Sequence, residues 1–165
     1  MLRLLLEMIK NSRRSDRDLA KVLGVSQPTI TRTRQRLEKE YISTYTLIPN
    51  FAKIGYEIAA FTFCKSKTYD RSEAEKMQQY AREWSKKYPN VIFAADGEGL
   101  GKDAVMVSFH RSYSHYADFM RQFTVDWANY VTDLQSFLVS LKNEIQMKPF
   151  DLKYLADDKS ILEHA

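Results

Sequence analysis

The chain has 165 residues, 44% of them hydrophobic and 28% charged, with a net charge of +4. This is the balance of an ordinary globular protein and excludes a disordered, collagen-like or low-complexity chain. No apolar run approaches the ~18–20 residues that span a bilayer. The segment Met1 to Lys10 lacks the small-residue cleavage site of a signal peptide, and the lone Cys64 permits no intrachain disulfide. The expectation is a soluble, cytoplasmic protein in a reducing compartment.

Residues 1–50 hold ten Lys or Arg against five acids, and the rest of the chain fifteen against sixteen. The whole positive excess thus falls in the first third, as a segment facing a polyanion requires. Along that third, Leu2, Leu5, Leu6 and Ile9 recur at helical spacing and predict a first helix. Ser15, with Asp18 three residues on, approximates a capping box for a second helix. Leu19, Ala20 and Leu23 form its buried side, and Gly24 is placed to end it in a left-handed turn. Ser26 caps a third helix with Pro28 in its first turn, and Ile30, Thr33 and Leu37 lie on one face of it.

From Tyr41 the composition turns β-branched and aromatic. Ile42 to Ile48 is expected to form a short strand or wing closed by Pro49-Asn50. Glu57 to Lys65 reads as a strand with Ala59, Phe61 and Phe63 on one face. Ser72 to Lys87 is an amphipathic helix with the stripe Ala74, Met77, Ala81 and Trp84. Val91 to Ala95 and Ala104 to His110 read as strands joined by a long glycine-rich loop, Gly97 to Asp103. Ser112 to Trp127 is a second amphipathic helix, and Val131 to Leu141 a last strand. The order β-α-β-β-α-β is that of a ferredoxin-like, ACT-like sandwich. The expected class is therefore α+β, with a helix-turn-helix and short strand or wing at 1–50, a ferredoxin-like domain at 51–150, and a polar tail at 151–165.

The stretch Asp16 to Leu37 follows the logic of a helix-turn-helix. Small Ala20 lets two helices approach, Gly24 makes the turn, and Ile30 plugs the shared core, so that the helix Gln27 to Lys39 can enter the major groove of double-stranded DNA. At ~100° per residue, Pro28, Thr31, Arg32, Gln35 and Arg36 face outward. Arg32 and Gln35 suit base edges, the hydroxyl and cationic groups of the outward set suit phosphates, Gln27 and Thr29 complete the candidate DNA-binding residues of this helix, and Arg13, Arg14, Arg17 and Lys21 are available to phosphates.

Leu19-Ala20, Gly24-Val25-Ser26, Arg36-Leu37-Glu38, the Ile42 strand and Ile54-Gly55-Tyr56 together resemble the Lrp/AsnC family of prokaryotic transcription regulators, over about Leu2 to Phe150. The resemblance implies a winged helix-turn-helix DNA-binding domain with a strand linker at 1–50 and a dimerisation and effector domain at 51–150, in homodimers, often assembled into larger rings, that regulate transcription and respond to small amino-acid effectors. On that implication Gly97, Gly99, Gly101 and Asp103 are the candidate effector residues, with Asp103 accepting an ammonium and the glycine amides a carboxylate. Two departures stand out. Where the family has a glycine after the recognition helix, this chain has Tyr41, which disfavours positive φ, so the helix must exit differently. The glycine-rich turn is also longer than the family's.

Other signals are weaker. Gly101-Lys102 lacks the glycine and the Ser or Thr of a phosphate loop and leads into a strand. His110 and His115 are read as a surface pair without metal-ligand spacing, and Cys64 as an inert core thiol. Some haem-pathway decarboxylases resemble the same two-domain family, which leaves an enzyme as the alternative. This chain keeps the reading helix and has no histidine before His110, so no catalytic residue, cofactor or metal is assigned. An RNA-binding sheet is disfavoured because no basic residues interleave the aromatics.

Overall fold

Three helices open the chain in the computed structural model, which describes residues 1–67, 71–142 and 146–162. They are α1 (Leu2–Lys10), α2 (Asp16–Leu23) and α3 (Gln27–Glu40). Ser15 Oγ accepts the Asp18 amide at 3.1 Å and donates to the Asp18 carboxylate at 2.6 Å, so the expected cap forms with Asp in place of Glu. Gly24 closes α2 at φ 67°, a conformation costly for a residue with a Cβ. Leu4 and Met8 of α1, Leu19 and Ala20 of α2, and Ile30 and Leu37 of α3 form one buried cluster.

The stripe expected on α1 is rotated: Leu4 and Met8 enter this core, whereas Leu6 is buried outside it. The cause is a second layer. The C-terminal segment folds into two 3-10 turns, Leu152–Asp157 and Lys159–Leu162, that pack on α1, and Ala156 is buried there. A helix covered on two sides is apolar on more than one face, which blurs its period. Met1–Ile48 and Lys148–Ala165 accordingly make one compact unit and Pro49–Met147 a second.

The wing expected at Ile42 to Ile48 does not form: residues 42–50 carry neither helix nor strand. Ile42 packs on the helical core, and the Tyr45 hydroxyl donates to Glu38 at 2.8 Å. Side chains hold the start of this segment, and the ladder of the described residues offers its backbone no partner strand. Tyr41 ends α3 at φ −128°, the different exit that a non-glycine residue requires.

In the second unit β1 (Ile58–Ser66), α4 (Arg71–Lys86), β2 (Val91–Gly99), β3 (Lys102–His110), α5 (Tyr113–Asp126) and β4 (Val131–Ser140) follow the ferredoxin-like order. The antiparallel sheet runs β2-β3-β1-β4. Alternation sends Cys64 and Met106 into a core with Trp84, Phe119, Phe123 and Trp127. Trp84 and Phe123 meet edge-on at 5.2 Å. The Trp84 indole N–H and the Tyr88 hydroxyl both donate to the Asp126 carboxylate, at 2.7 and 3.3 Å, tying α4 to the end of α5. On the other face, register aligns Phe93, Val107, Phe61 and Phe137 across all four strands, and the three phenylalanines are exposed.

The loop expected at Gly97 to Asp103 is instead a tight hairpin. β2 continues to Gly99, which pairs with Lys102, leaving only Leu100 and Gly101 in the turn at φ 53° and 69°. Two positive φ values match the twist of the strands. The glycine serves one of them, while Leu100 holds the other at some strain.

His110 is not a surface residue but fully buried. It lies on the helix-facing side of β3, in step with Met106 and Ser108. Its Nε2 is 2.8 Å from Ser108 Oγ and its Nδ1 3.3 Å from His115 Nδ1, with the Tyr116 and Phe119 rings against it. Burial first, and His115 second, push its pKa down from 6.5 to about 4. The folded protein therefore refuses a proton that the unfolded chain accepts. This contribution to stability is full above pH 6.5 and is lost as pH falls toward 4, by about 3 kcal/mol across that window. Thermal unfolding followed between pH 7 and 4.5 should show a shallower pH dependence in His110→Gln than in wild type. Equal slopes would refute a neutral buried histidine.

Candidate nucleic-acid interface

Capping, the Gly24 turn and the buried Ile30 and Leu37 fix which side of α3 is turned away from the core. Arg32, Gln35 and Arg36 lie three and four residues apart and are exposed, as are Gln27, Pro28 and Thr29. On α2, Arg17 and Lys21 are exposed one turn apart, and Arg13 precedes them in the connecting turn. Among the described residues, Arg13, Arg17, Lys21 and Arg32 take part in no ion pair, so their charge is available to an external anion. Arg36 bonds Glu40 at 3.0 Å on the surface, with both groups largely solvated, an association worth little. The Thr29 hydroxyl lies 2.8 Å from Ser26 Oγ and thus shares in the cap.

Two residues of the expected set are placed differently. Thr31 is half-buried rather than outward; its hydroxyl is bonded to Asp16 Oδ2 at 2.7 Å. The guanidinium of Arg14 pairs with Glu7 on α1 at 2.6 Å, while its carbonyl accepts from Arg34 at 3.1 Å. These contacts disclose a polar clamp. Asp16, the first residue of α2, takes Thr31 on one oxygen and Arg34 Nε on the other, at 2.7 Å. Its pKa is lowered, chiefly by the Thr31 bond and then by Arg34, against a counteracting burial. The clamp fixes the angle at which α3 leaves α2. Helical geometry carried a signal for it, since Arg34 sits four residues after Ile30 and so flanks the buried stripe.

In the second unit, Gly97, Gly99 and Gly101 run along the β2–β3 hairpin, all exposed. Asp103 is engaged: Oδ1 accepts the Ser66 amide and hydroxyl, both at 2.9 Å, and Oδ2 accepts Lys65 Nζ at 2.9 Å. These bonds hold its carboxyl below the usual range despite partial burial. Cys64 is buried and its thiol pushed up to about 11, chiefly by desolvation. The described residues contain no cluster of three metal-ligating side chains and no helix long and apolar enough to cross a membrane.

Residues 2–38 match the family of AsnC-type helix-turn-helix domains. No curated protein matches the chain by sequence. Among solved structures it is similar to an AsnC family transcriptional regulator from Agrobacterium tumefaciens, with a TM-score of 0.72, 18% identity, and 93% of this chain and 95% of that one covered. It is also similar to a transcriptional regulator of Neisseria meningitidis in complex with L-Met, with TM-score 0.70, 19% identity, and 93% and 95% coverage. For AsnC of E. coli the values are 0.69, 18%, 88% and 93%. These likenesses span both units and establish the fold: an N-terminal helix-turn-helix followed by a four-stranded antiparallel sheet with helices.

The clamp predicts that Asp16→Ala destabilises the full chain by about 2 kcal/mol, because two donors lose a charged acceptor. Arg32→Ala, at an exposed side chain in no ion pair among the described residues, should leave the thermal midpoint unchanged. The Asp16 contribution is present above pH 3.8 and declines below it, the lowered pKa setting the sign. Thermal or urea unfolding reads the difference; an unaltered midpoint in Asp16→Ala would sink the clamp.

Proposed function

We propose that the chain is a dimeric, sequence-specific DNA-binding transcription regulator of the Lrp/AsnC type. The observation that carries this reading is α3, held at a fixed angle by Asp16 with Arg32 and Gln35 exposed and unpaired on its outer face. Guanidinium and amide groups in this position suit guanine and adenine edges in the major groove. Arg13, Arg17 and Lys21 add cations for the flanking phosphates, and Arg36 reaches them by releasing Glu40. Arg14 contributes by positioning, through Glu7 and Arg34, as much as by its charge. No catalytic step is assigned to the chain, and its place of action is the cytoplasm, where the DNA lies.

Dimerisation through the second unit is supported by the exposed Phe93, Phe61 and Phe137 of one cross-strand row, apolar surface that a lone protomer leaves in water. The segment 42–50, with Tyr45 and Leu47 exposed, is a further apolar strip available for assembly into dimers or larger rings. Two copies present two reading helices, so the operator would be a pseudo-palindrome with half-sites on one face of the duplex. A small amino-acid effector at Gly97, Gly99, Gly101 and Asp103 would have to compete with Lys65 and Ser66 for the Asp103 carboxylate.

A selection of genomic or random DNA fragments tests the reading. A single enriched motif with two-fold symmetry is expected. Arg32→Ala should lower the preference for that motif by ~1–3 kcal/mol, while Lys21→Ala weakens all DNA and flattens the salt dependence by about one unit. An unchanged ratio of specific to non-specific binding in Arg32→Ala would rule out this docking of α3. Light scattering at micromolar concentration should give a dimer or a multiple of one for wild type, and a smaller species for Phe61→Asp with Phe137→Asp. A monomeric wild type would exclude the dimeric half of the proposal.

A further inference from the structure

The chain crosses between its two units twice, after Ile48 and again after Met147. The strands described in the second unit end at Ser140, and residues 148–162 return to the helical unit. Local contacts build this segment. Asp151 Oδ1 accepts the Lys153 amide at 2.9 Å and Oδ2 pairs with Lys153 Nζ at 2.8 Å, which starts the turn Leu152–Asp157. The Tyr154 ring takes the ammonium groups of Lys148 and Lys153 at 4.1 and 5.4 Å.

The segment packs on α1, with Ala156 buried at 8% exposure. Leu4 and Met8 anchor α1 in the core shared with α2 and α3, whereas the buried Leu6 lies outside that cluster. Asp157 acts on the same helix: the Lys10 pKa is raised first by its bond to Glu7, and also by the Asp157 charge. From α1 a line of polar contacts runs on to α3. Glu7 holds Lys10 Nζ on Oε1 at 2.8 Å and Arg14 on Oε2 at 2.6 Å. The Arg14 carbonyl accepts from Arg34 at 3.1 Å, and Arg34 Nε reaches Asp16 at 2.7 Å. These bonds are directional, so a tilt of α1 is passed to α3. The apolar core alone tolerates such a tilt, because its contacts are weakly directional.

We propose that segment 148–162 is a positioning strap for DNA reading, which fixes α1 and, through Glu7 and Arg14, the angle of α3. The proposal rests on the reading of α3 as the DNA-contacting helix, and Ala156 and Glu7 are its positioning residues. Contacts to base edges demand a set angle, whereas contacts to phosphates carry no sequence information and tolerate a tilt. Loosening the strap therefore costs sequence preference and spares general affinity.

The test uses the full chain. Ala156→Gln puts a long polar side chain where a methyl group is buried, without changing the charge. Glu7→Gln keeps the shape of Glu7 and removes its ion pairs. Each should lower the ratio of specific to non-specific DNA binding about tenfold, the worth of roughly one base contact. The salt dependence of Ala156→Gln should match wild type. A merely structural role would lower the thermal midpoint and leave the ratio untouched. Leu155→Ser, at an exposed neighbouring position, should keep the wild-type ratio, and a loss there as large as in Ala156→Gln overturns the assignment to the buried side. Glu7→Gln decides the outcome if circular dichroism shows Ala156→Gln misfolded. Wild-type ratios in both glutamine variants overturn the strap. If wild type selects no DNA motif, the role of α3 fails and the strap is judged without DNA. Urea unfolding is then compared for Asp16→Ala, Ala156→Gln and the double variant. Sites that share no network add their effects, so a combined loss smaller than the sum supports the strap and strict additivity overturns it.

Discussion

Asp16 is the point on which the orientation of α3 depends. Apolar packing of Leu19 and Ala20 against Ile30 and Leu37 brings α2 and α3 together, but dispersion and desolvation are weakly directional. Such packing tolerates a range of crossing angles. Two charged or charge-assisted bonds from one carboxylate, to Thr31 and Arg34 at 2.7 Å each, narrow that range. Arg34 then reaches the Arg14 carbonyl, and Arg14 reaches Glu7 on α1. A chain of polar contacts thus joins all three helices on the side that the apolar core leaves open. The outer face of α3 is free to meet a ligand because its orientation is set entirely from behind.

The second unit solves a different problem. A four-stranded sheet has two faces, and the two helices described in this unit cover one of them. Aromatics fill that face, where edge-on contacts add to area burial. The other is covered at one end, where Phe51 and Tyr56 pack on Ala59, Phe109 and Leu141, and three exposed phenylalanines mark its uncovered part. The alternation places residues as apolar as Phe61 and Phe137 on the exposed side of β1 and β4, next to buried Thr62 and polar Ser136. The Thr62 and Ser136 hydroxyls lie 2.9 Å apart, a bond that allows Thr62 to be fully buried on the helix side.

Much of this was legible in residue order. Caps at Ser15 and Ser26, the Gly24 turn and the buried Ile30 and Leu37 are local features, fixed by propensities that tertiary context reinforces. The β-α-β-β-α-β order followed from periodicity alone. What escaped were features set by partners distant in sequence. The period of α1 could not disclose a covering segment that arrives from residues 152–162. His110 looked like a surface residue because histidine is usually polar, although its parity with Met106 and Ser108 placed it inside. Glycines at 97, 99 and 101 suggested a loop, whereas strand pairing continued to Gly99 and Gly101 shares the two-residue turn with Leu100. The Thr31 hydroxyl could face DNA or Asp16, and no local rule decides between them.

The cations of the first unit divide by what they already touch, and this division separates scaffold from interface better than their number does. Arg14 and Arg34 are paired with Glu7 and Asp16 inside the helical frame, half-shielded from water, and their charge is spent on geometry. Arg13, Arg17, Lys21 and Arg32 are exposed and, among the described residues, in no ion pair. Desolvating a paired arginine for a phosphate would sacrifice an existing bond, whereas the free group exchanges only water and a counterion.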